Sequence, residues 1–237
     1  MKKKTKKWRS PSLGKDMELT VYGSSGTPII GLPTRGATCH QWEEFGMTEG
    51  IEFQLENEFN QLYCVSSVDK ESFLNEKSTP RQRLVRQKQY ESYLVDEVVS
   101  YVHDHNKIDY VIIAGIDLGG YHAITSALKH PAAFDKAIGI SGIYDIKQFM
   151  NGFYDDNVYY CNPVDFVPNL NKQTTLDNIR DVDFRLVSYQ NDARREQSRR
   201  MSTVLRMKFI QHKLDIWGMD GKEEWDLWPQ MLKTHII

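Results

Sequence analysis

Tyr110-Val111-Ile112-Ile113-Ala114-Gly115-Ile116-Asp117-Leu118-Gly119-Gly120-Tyr121-His122-Ala123 is the stretch on which the reading of this chain turns. A β-prone apolar run enters a turn of small residues. A helical stretch over residues 123–129 follows and ends at His130-Pro131. Glycines on either side of Asp117 allow a tight turn and close packing of the outgoing helix on the incoming strand. Such a turn lifts one side chain above the sheet edge, and here that side chain is a carboxylate.

Working outward, the chain alternates strand and helix. Residues 16–22 alternate apolar and polar as a half-buried edge strand does, and residues 28–32 form a short apolar strand. The loop Pro33-Thr34-Arg35-Gly36-Ala37-Thr38 comes next. Residues 59–68 read as a strand, and residues 81–105 as a long helix with Tyr90, Leu94, Val98 and Val102 along one stripe. Further strands are expected over 136–141, 184–189 and 214–217, with helices over 196–209 and 223–233. Residues 144–183 are loop-rich and aromatic, as a small cap over a site would be. This alternation implies an α/β fold: a mostly parallel central sheet with helices on both faces.

Composition bounds the function. The 237 residues suit one α/β domain, and a 40% hydrophobic, 26% charged composition is ordinary for a globular chain. A net charge of −2 supplies no general attraction to nucleic acid or anionic membranes. No apolar run approaches the roughly 20 residues of a membrane span. The basic start, Met1-Lys2-Lys3-Lys4-Thr5-Lys6-Lys7, lacks the apolar segment of a signal peptide. Residues 1–8 are therefore expected as a disordered basic tail, and residues 9–237 as a single domain with its cap over about 144–183. Cys39, Cys64 and Cys161 lack metal or disulfide spacing, which fits reduced thiols and a cytoplasmic setting. Metal, nucleotide and phosphate motifs are absent from the sequence, so no cofactor and no metal site is expected.

The elbow follows the G-x-S-x-G layout of α/β-hydrolases, with Asp117 in place of serine. Read end to end from about Trp8, the sequence resembles the esterase family that includes esterase D, S-formylglutathione hydrolase and the antigen 85 acyltransferases. The resemblance rests on Leu32-Pro33-Thr34, Gln41-Trp42-Glu43-Glu44-Phe45-Gly46-Met47 and Tyr63-Cys64-Val65-Ser66-Ser67-Val68-Asp69. It rests further on the elbow, Gly139-Ile140-Ser141-Gly142-Ile143-Tyr144-Asp145, and Tyr154-Asp155-Asp156-Asn157-Val158-Tyr159.

That resemblance implies an α/β-hydrolase fold and a Ser-His-acid triad. Position by position, it puts Asp117 at the nucleophile and Asp192 at the acid. In Trp217-Gly218-Met219-Asp220-Gly221-Lys222-Glu223-Glu224-Trp225 it puts Glu223 where the base histidine belongs. It also implies an oxyanion hole from the backbone of Leu118, with Arg35 in the neighbouring loop. The implied function is an esterase-like fold without serine-esterase chemistry, acting as a scaffold for a small ester-like ligand or a protein partner. A homo-oligomer is left open.

The alternative is a hydrolase using Asp117 itself, as haloalkane dehalogenases and epoxide hydrolases use an elbow aspartate. Their covalent ester is opened by water that a histidine activates, and none stands at the matching position. Of the others, His122 reads as a satisfied helix residue, while His40 lies near the oxyanion-side loop. Arg194-Arg195 and Arg199-Arg200 read as a solvated helix face. Three carboxylates converging on one site would need relief from a bound cation, a raised carboxylate pKa or an internal counter-charge; Arg35 is the natural internal partner of Asp117, with magnesium or calcium as the alternative.

Overall fold

The computed structural model describes residues 1–219 and 221–237. Its centre is an eight-stranded sheet of order β1-β2-β4-β3-β5-β6-β7-β8. The strands are β1 (Lys3–Ser10), β2 (Lys15–Tyr22), β3 (Thr27–Leu32), β4 (Asn60–Val65), β5 (Ile112–Ile116), β6 (Lys136–Ile140), β7 (Asp183–Tyr189) and β8 (His212–Trp217). From β4 through β8 every pairing is parallel, and β2 runs antiparallel to both β1 and β4. The five residues of β5 are all buried, as a strand covered on both faces requires.

One apolar cluster joins Tyr90, Leu94 and Val98 to Ile124, Ala127 and Met201 on one face of the sheet. Another joins Trp42, Met47 and Leu55 to Leu227, Trp228 and Met231 on the opposite face. Helices thus cover both sides. The long helical segment starts with a capping box, Thr79 with Gln82, and has Pro80 in its first turn. It runs on through a π-helical stretch, Tyr93–Val99, to His105. Its stripe of Tyr90, Leu94, Val98 and Val102 is fully buried, as the period predicts. Short helices at Asp156–Cys161, Pro163–Phe166 and Gln173–Arg180 fill the segment between β6 and β7.

The N-terminus corrects the sequence expectation. Instead of a disordered tail over residues 1–8, β1 pairs with β2 in register from Lys3↔Tyr22 to Ser10↔Lys15. Trp8 anchors it, stacking on Tyr93 and Tyr101 at 5.7 and 5.8 Å. The Trp8 indole and the Ser10 hydroxyl both donate to Glu97. A charge run hides such a strand because its lysines need bury nothing at a sheet edge, where they also discourage pairing with another chain. As a result β2 is an interior strand, not the edge. Among the described residues no helix is long and apolar enough to cross a membrane.

The elbow helix, Leu118–Lys129, begins five residues earlier than its propensity suggests, and eleven of its twelve residues are buried. Glycine is a poor helix former, so Gly119 and Gly120 read locally as turn. Packing reverses that preference. A Cβ on Gly119 would stand 2.3 Å from the Pro33 carbonyl oxygen and 2.5 Å from that of Leu32. Gly119→Ala is accordingly expected to cost about 3 kcal/mol, because backbone cannot yield as a side-chain tip can. Urea unfolding of the variant checks this, and a midpoint equal to wild type would contradict it.

Candidate active site

The end of β5 carries Asp117 into the elbow helix with φ 59° and ψ −116°, outside the regions that non-glycine residues favour. Its backbone N–H donates to the Ile140 carbonyl at 3.0 Å, and its carbonyl accepts from Ile143 N–H at 3.3 Å. The strained turn is thus held by β6 and the loop after it, and the side chain is aimed above the parallel strand ends. Asp117 is only 2% exposed there.

Both oxygens of that buried carboxylate are engaged. Arg35 Nε donates to Oδ2 at 2.6 Å and Nη2 to Oδ1 at 2.8 Å, a bidentate pair. Arg194 Nε lies 2.7 Å from Oδ1. The Arg35 backbone N–H also reaches Oδ2, at 3.3 Å. Burial pushes the Asp117 carboxyl up, but the Arg35 hydrogen bonds and the Arg194 charge outweigh it and hold the group below the usual carboxylate range. The counter-charge expected of Arg35 is present.

The loop bearing Arg35 is fixed by its neighbours. Thr34 N–H donates to Gln41 Oε1 at 2.7 Å, and Gly36 N–H donates to Asp69 Oδ2 at 2.9 Å. Asp69 in turn pairs with His122 at 2.8 Å, both fully buried. His122 is therefore satisfied, by Asp69 and Gln87. Leu118 opens the elbow helix, so its N–H belongs to the first turn, where intrahelical acceptors are lacking.

Asp192 lies just beyond β7 and is buried. It accepts from the Ser188 hydroxyl at 2.6 Å and from Arg194 N–H at 2.8 Å. Its own loop thus occupies it. Glu223 does not join Asp117 and Asp192. It is exposed and caps the helix Glu224–His235 in a reciprocal box with Asp226. The Asp226 N–H meets the Glu223 carbonyl at 3.1 Å, and the Glu223 N–H donates to Asp226 Oδ2 at 3.2 Å, which ties residue 223 to the helix end. The next residue, Glu224, faces inward and accepts from the Tyr189 hydroxyl at 2.6 Å. Asp220, in the same quoted stretch, lies outside the described residues.

Arg35, Asp117, Arg194 and Glu224 line one cavity of about 240 Å³ with Phe45, Trp225 and Trp228. Two cations and two anions there balance, so the convergence of three carboxylates expected from the sequence does not arise. Arg194 and Glu224 are the residues that sequence reasoning missed. Arg194 stands two positions after Asp192, in a loop that must face the elbow if Asp192 does, and that was the available signal. Glu224 differs from the expected position by one residue, which turns a side chain by about 100° at a helix start. His40 turns toward Glu18 at 3.1 Å and does not line the cavity.

Several solved structures share this architecture. A ferulic acid esterase aligns with a TM-score of 0.77 at 15% identity, over 98% of this chain and 95% of that one. The S-formylglutathione hydrolase of Staphylococcus aureus aligns with a TM-score of 0.70 at 16% identity, over 99% and 97%. MPT51 of Mycobacterium tuberculosis aligns with a TM-score of 0.67 at 17% identity, over 99% and 96%. At such identities the likeness is one of fold. No protein with curated annotation is similar enough in sequence to match. The family model described as "Putative esterase" matches residues 11–235, and the chain belongs to that family.

Proposed function

We propose that this protein is an esterase-family scaffold without serine-esterase chemistry, which uses its cavity to bind a small ester-like ligand or a segment of a protein partner. Asp117 stands at the nucleophile position and Asp192 at the acid position. The base position is vacant of histidine, since Glu223 serves as a helix cap. The observation that carries the reading is the clamp on Asp117 by Arg35 and Arg194.

The clamp also weighs against Asp117 as a nucleophile. Attack through an oxygen would convert the carboxylate to a neutral ester and strip both arginines of their partner. Ground-state stabilisation of this kind raises the barrier to the chemical step. The Arg35 N–H, which would otherwise serve an oxyanion, is directed at Asp117 instead. Among the described residues no histidine lines the cavity to activate water for a second step.

Hydrolysis of p-nitrophenyl acetate by wild type is expected to equal that of Asp117→Ala. The variant is the proper reference, because binding and backbone donors alone leave serine enzymes about 10³–10⁴-fold above water. Wild-type turnover that Asp117→Ala abolishes would overturn the proposal in favour of Asp117 catalysis. Intact-mass measurement after exposure to haloalkanes and epoxides would then reveal the covalent ester.

A further inference from the structure

A second group of chemistry-bearing side chains lies away from the elbow cavity, where β2 meets the loop that follows β3. Glu18 projects from β2, and Cys39 and His40 end that loop. Their donor atoms form a triangle. Glu18 Oε1 is 3.1 Å from His40 Nε2 and 3.8 Å from Cys39 Sγ, and Sγ is 3.8 Å from His40 Nε2. Each residue offers one ligand atom, and the group stands alone in this respect among the described residues.

We propose that Glu18, Cys39 and His40 bind a zinc ion through one carboxylate oxygen, one thiolate and one imidazole nitrogen. Tetrahedral zinc has bonds of about 2.3 Å to sulfur and about 2.0 Å to nitrogen or oxygen, so its ligand–ligand edges are about 3.3–3.6 Å. The three edges here differ from that range by only a few tenths of an ångström. The donor set is also chemically selective. Thiolate with imidazole favours zinc over magnesium or calcium, which want oxygen ligands.

The surroundings are those of a supported site. Cys39 is buried and its backbone is fixed by an N–H bond to the Ser66 hydroxyl at 3.0 Å. The Thr20 hydroxyl lies 3.6 Å from Sγ, placed to donate to a thiolate. Such outer partners orient the ligand and tune its basicity. The side chains of Glu18 and His40 are 36% and 43% exposed, so an ion can enter from solvent and keep water in a fourth position. Sequence spacing could not reveal this group. Cys39 and His40 are adjacent, and Glu18 arrives through sheet pairing of β2 with β4.

The test is titration of the metal-stripped full chain with Co²⁺, and with Zn²⁺ against a chromophoric chelator. Wild type is expected to bind a single ion with a sulfur-to-cobalt charge-transfer band and the intense d–d bands of a tetrahedral centre. Cys39→Ser should abolish the charge-transfer band, and Cys161→Ala, a buried thiol elsewhere, should retain it. His40→Ala, a half-exposed position where folding is not at stake, should weaken zinc binding by more than about 100-fold, beyond the loss typical of outer-shell partners. Glu18→Gln should weaken it as well. A wild-type spectrum lacking the sulfur band, or zinc affinity unchanged in His40→Ala, would overturn the proposal.

Discussion

Arg35→Ala/Arg194→Ala is expected to destabilise the fold by about 3–5 kcal/mol, the cost of leaving a buried carboxylate unpaired. In wild type the Asp117 side chain is 3% exposed, so the two cations rather than water neutralise it. For a chain of this length the loss corresponds to a melting-temperature drop of roughly 10 °C. Each single variant should lose less, because one arginine remains and Arg35 is itself 42% exposed and screened.

The pH dependence identifies the mechanism. In wild type the Asp117 pKa is lowered on folding, so its contribution is complete above the unfolded value of about 3.9 and is lost as pH falls through the folded value. Without the two guanidinium groups, burial is opposed only by the residue-35 backbone N–H and raises the folded pKa. The sign then reverses, and acidification from neutral pH should narrow the gap between double variant and wild type. Adding Asp117→Asn to the double variant should recover much of the lost stability at neutral pH. A double variant that melts with wild type at every pH would refute the clamp.

The second large effect is a gain of ester cleavage in Asp117→Ser/Glu224→His/Arg194→Ala. Serine at the elbow supplies a hydroxyl nucleophile, with the Leu118 N–H unaffected by side-chain exchange. Histidine at 224 enters the cavity that Asp117 lines, beside the Tyr189 hydroxyl. Removing Arg194 takes away the cation 3.8 Å from Asp192, while the Ser188 hydroxyl and the backbone N–H of residue 194 still hold that carboxylate in place to face an imidazole. General-base assistance contributes about 10²–10⁴-fold, and that is the expected excess over Asp117→Ala with p-nitrophenyl acetate. Asp117→Ser alone should gain little, because nucleophile and base act as a unit.

Asp117→Ser/Glu223→His is the discriminating control. Position 223 faces solvent at the helix cap, so a histidine there should contribute nothing. Equal activity from the 223 and 224 designs would show that the helix start is placed differently. An inert triple variant whose crystal structure has the three side chains in hydrogen-bond range would implicate the Arg35 loop.

Much of the architecture was readable because it follows from periodicity and turn chemistry. The apolar run 112–116, the stripe Tyr90-Leu94-Val98-Val102 and the glycines around Asp117 each report a local rule. The errors occurred where local rules compete with contacts distant in sequence. Residues 1–8 look like a solvated tail until Trp8 meets Tyr93, Tyr101 and Glu97. Gly119 and Gly120 look like turn until packing against Leu32 and Pro33 makes them helix.

The same division runs through the site. By itself the sequence determined that a carboxylate follows the apolar run 112–116 between glycines, that residues 217–225 contain no histidine, and that Arg35 lies in the loop after residues 28–32. Those are matters of residue identity at positions set by local pattern. Only the tertiary structure decided that Arg194, the residue before the helix Arg195–Met207, meets Asp117, and that Glu224 rather than Glu223 enters the cavity. It also brought Glu18 to Cys39 and His40. Side-chain direction at a helix start changes by about 100° per residue, and charge pairing depends on distances that the sheet, not the chain order, imposes.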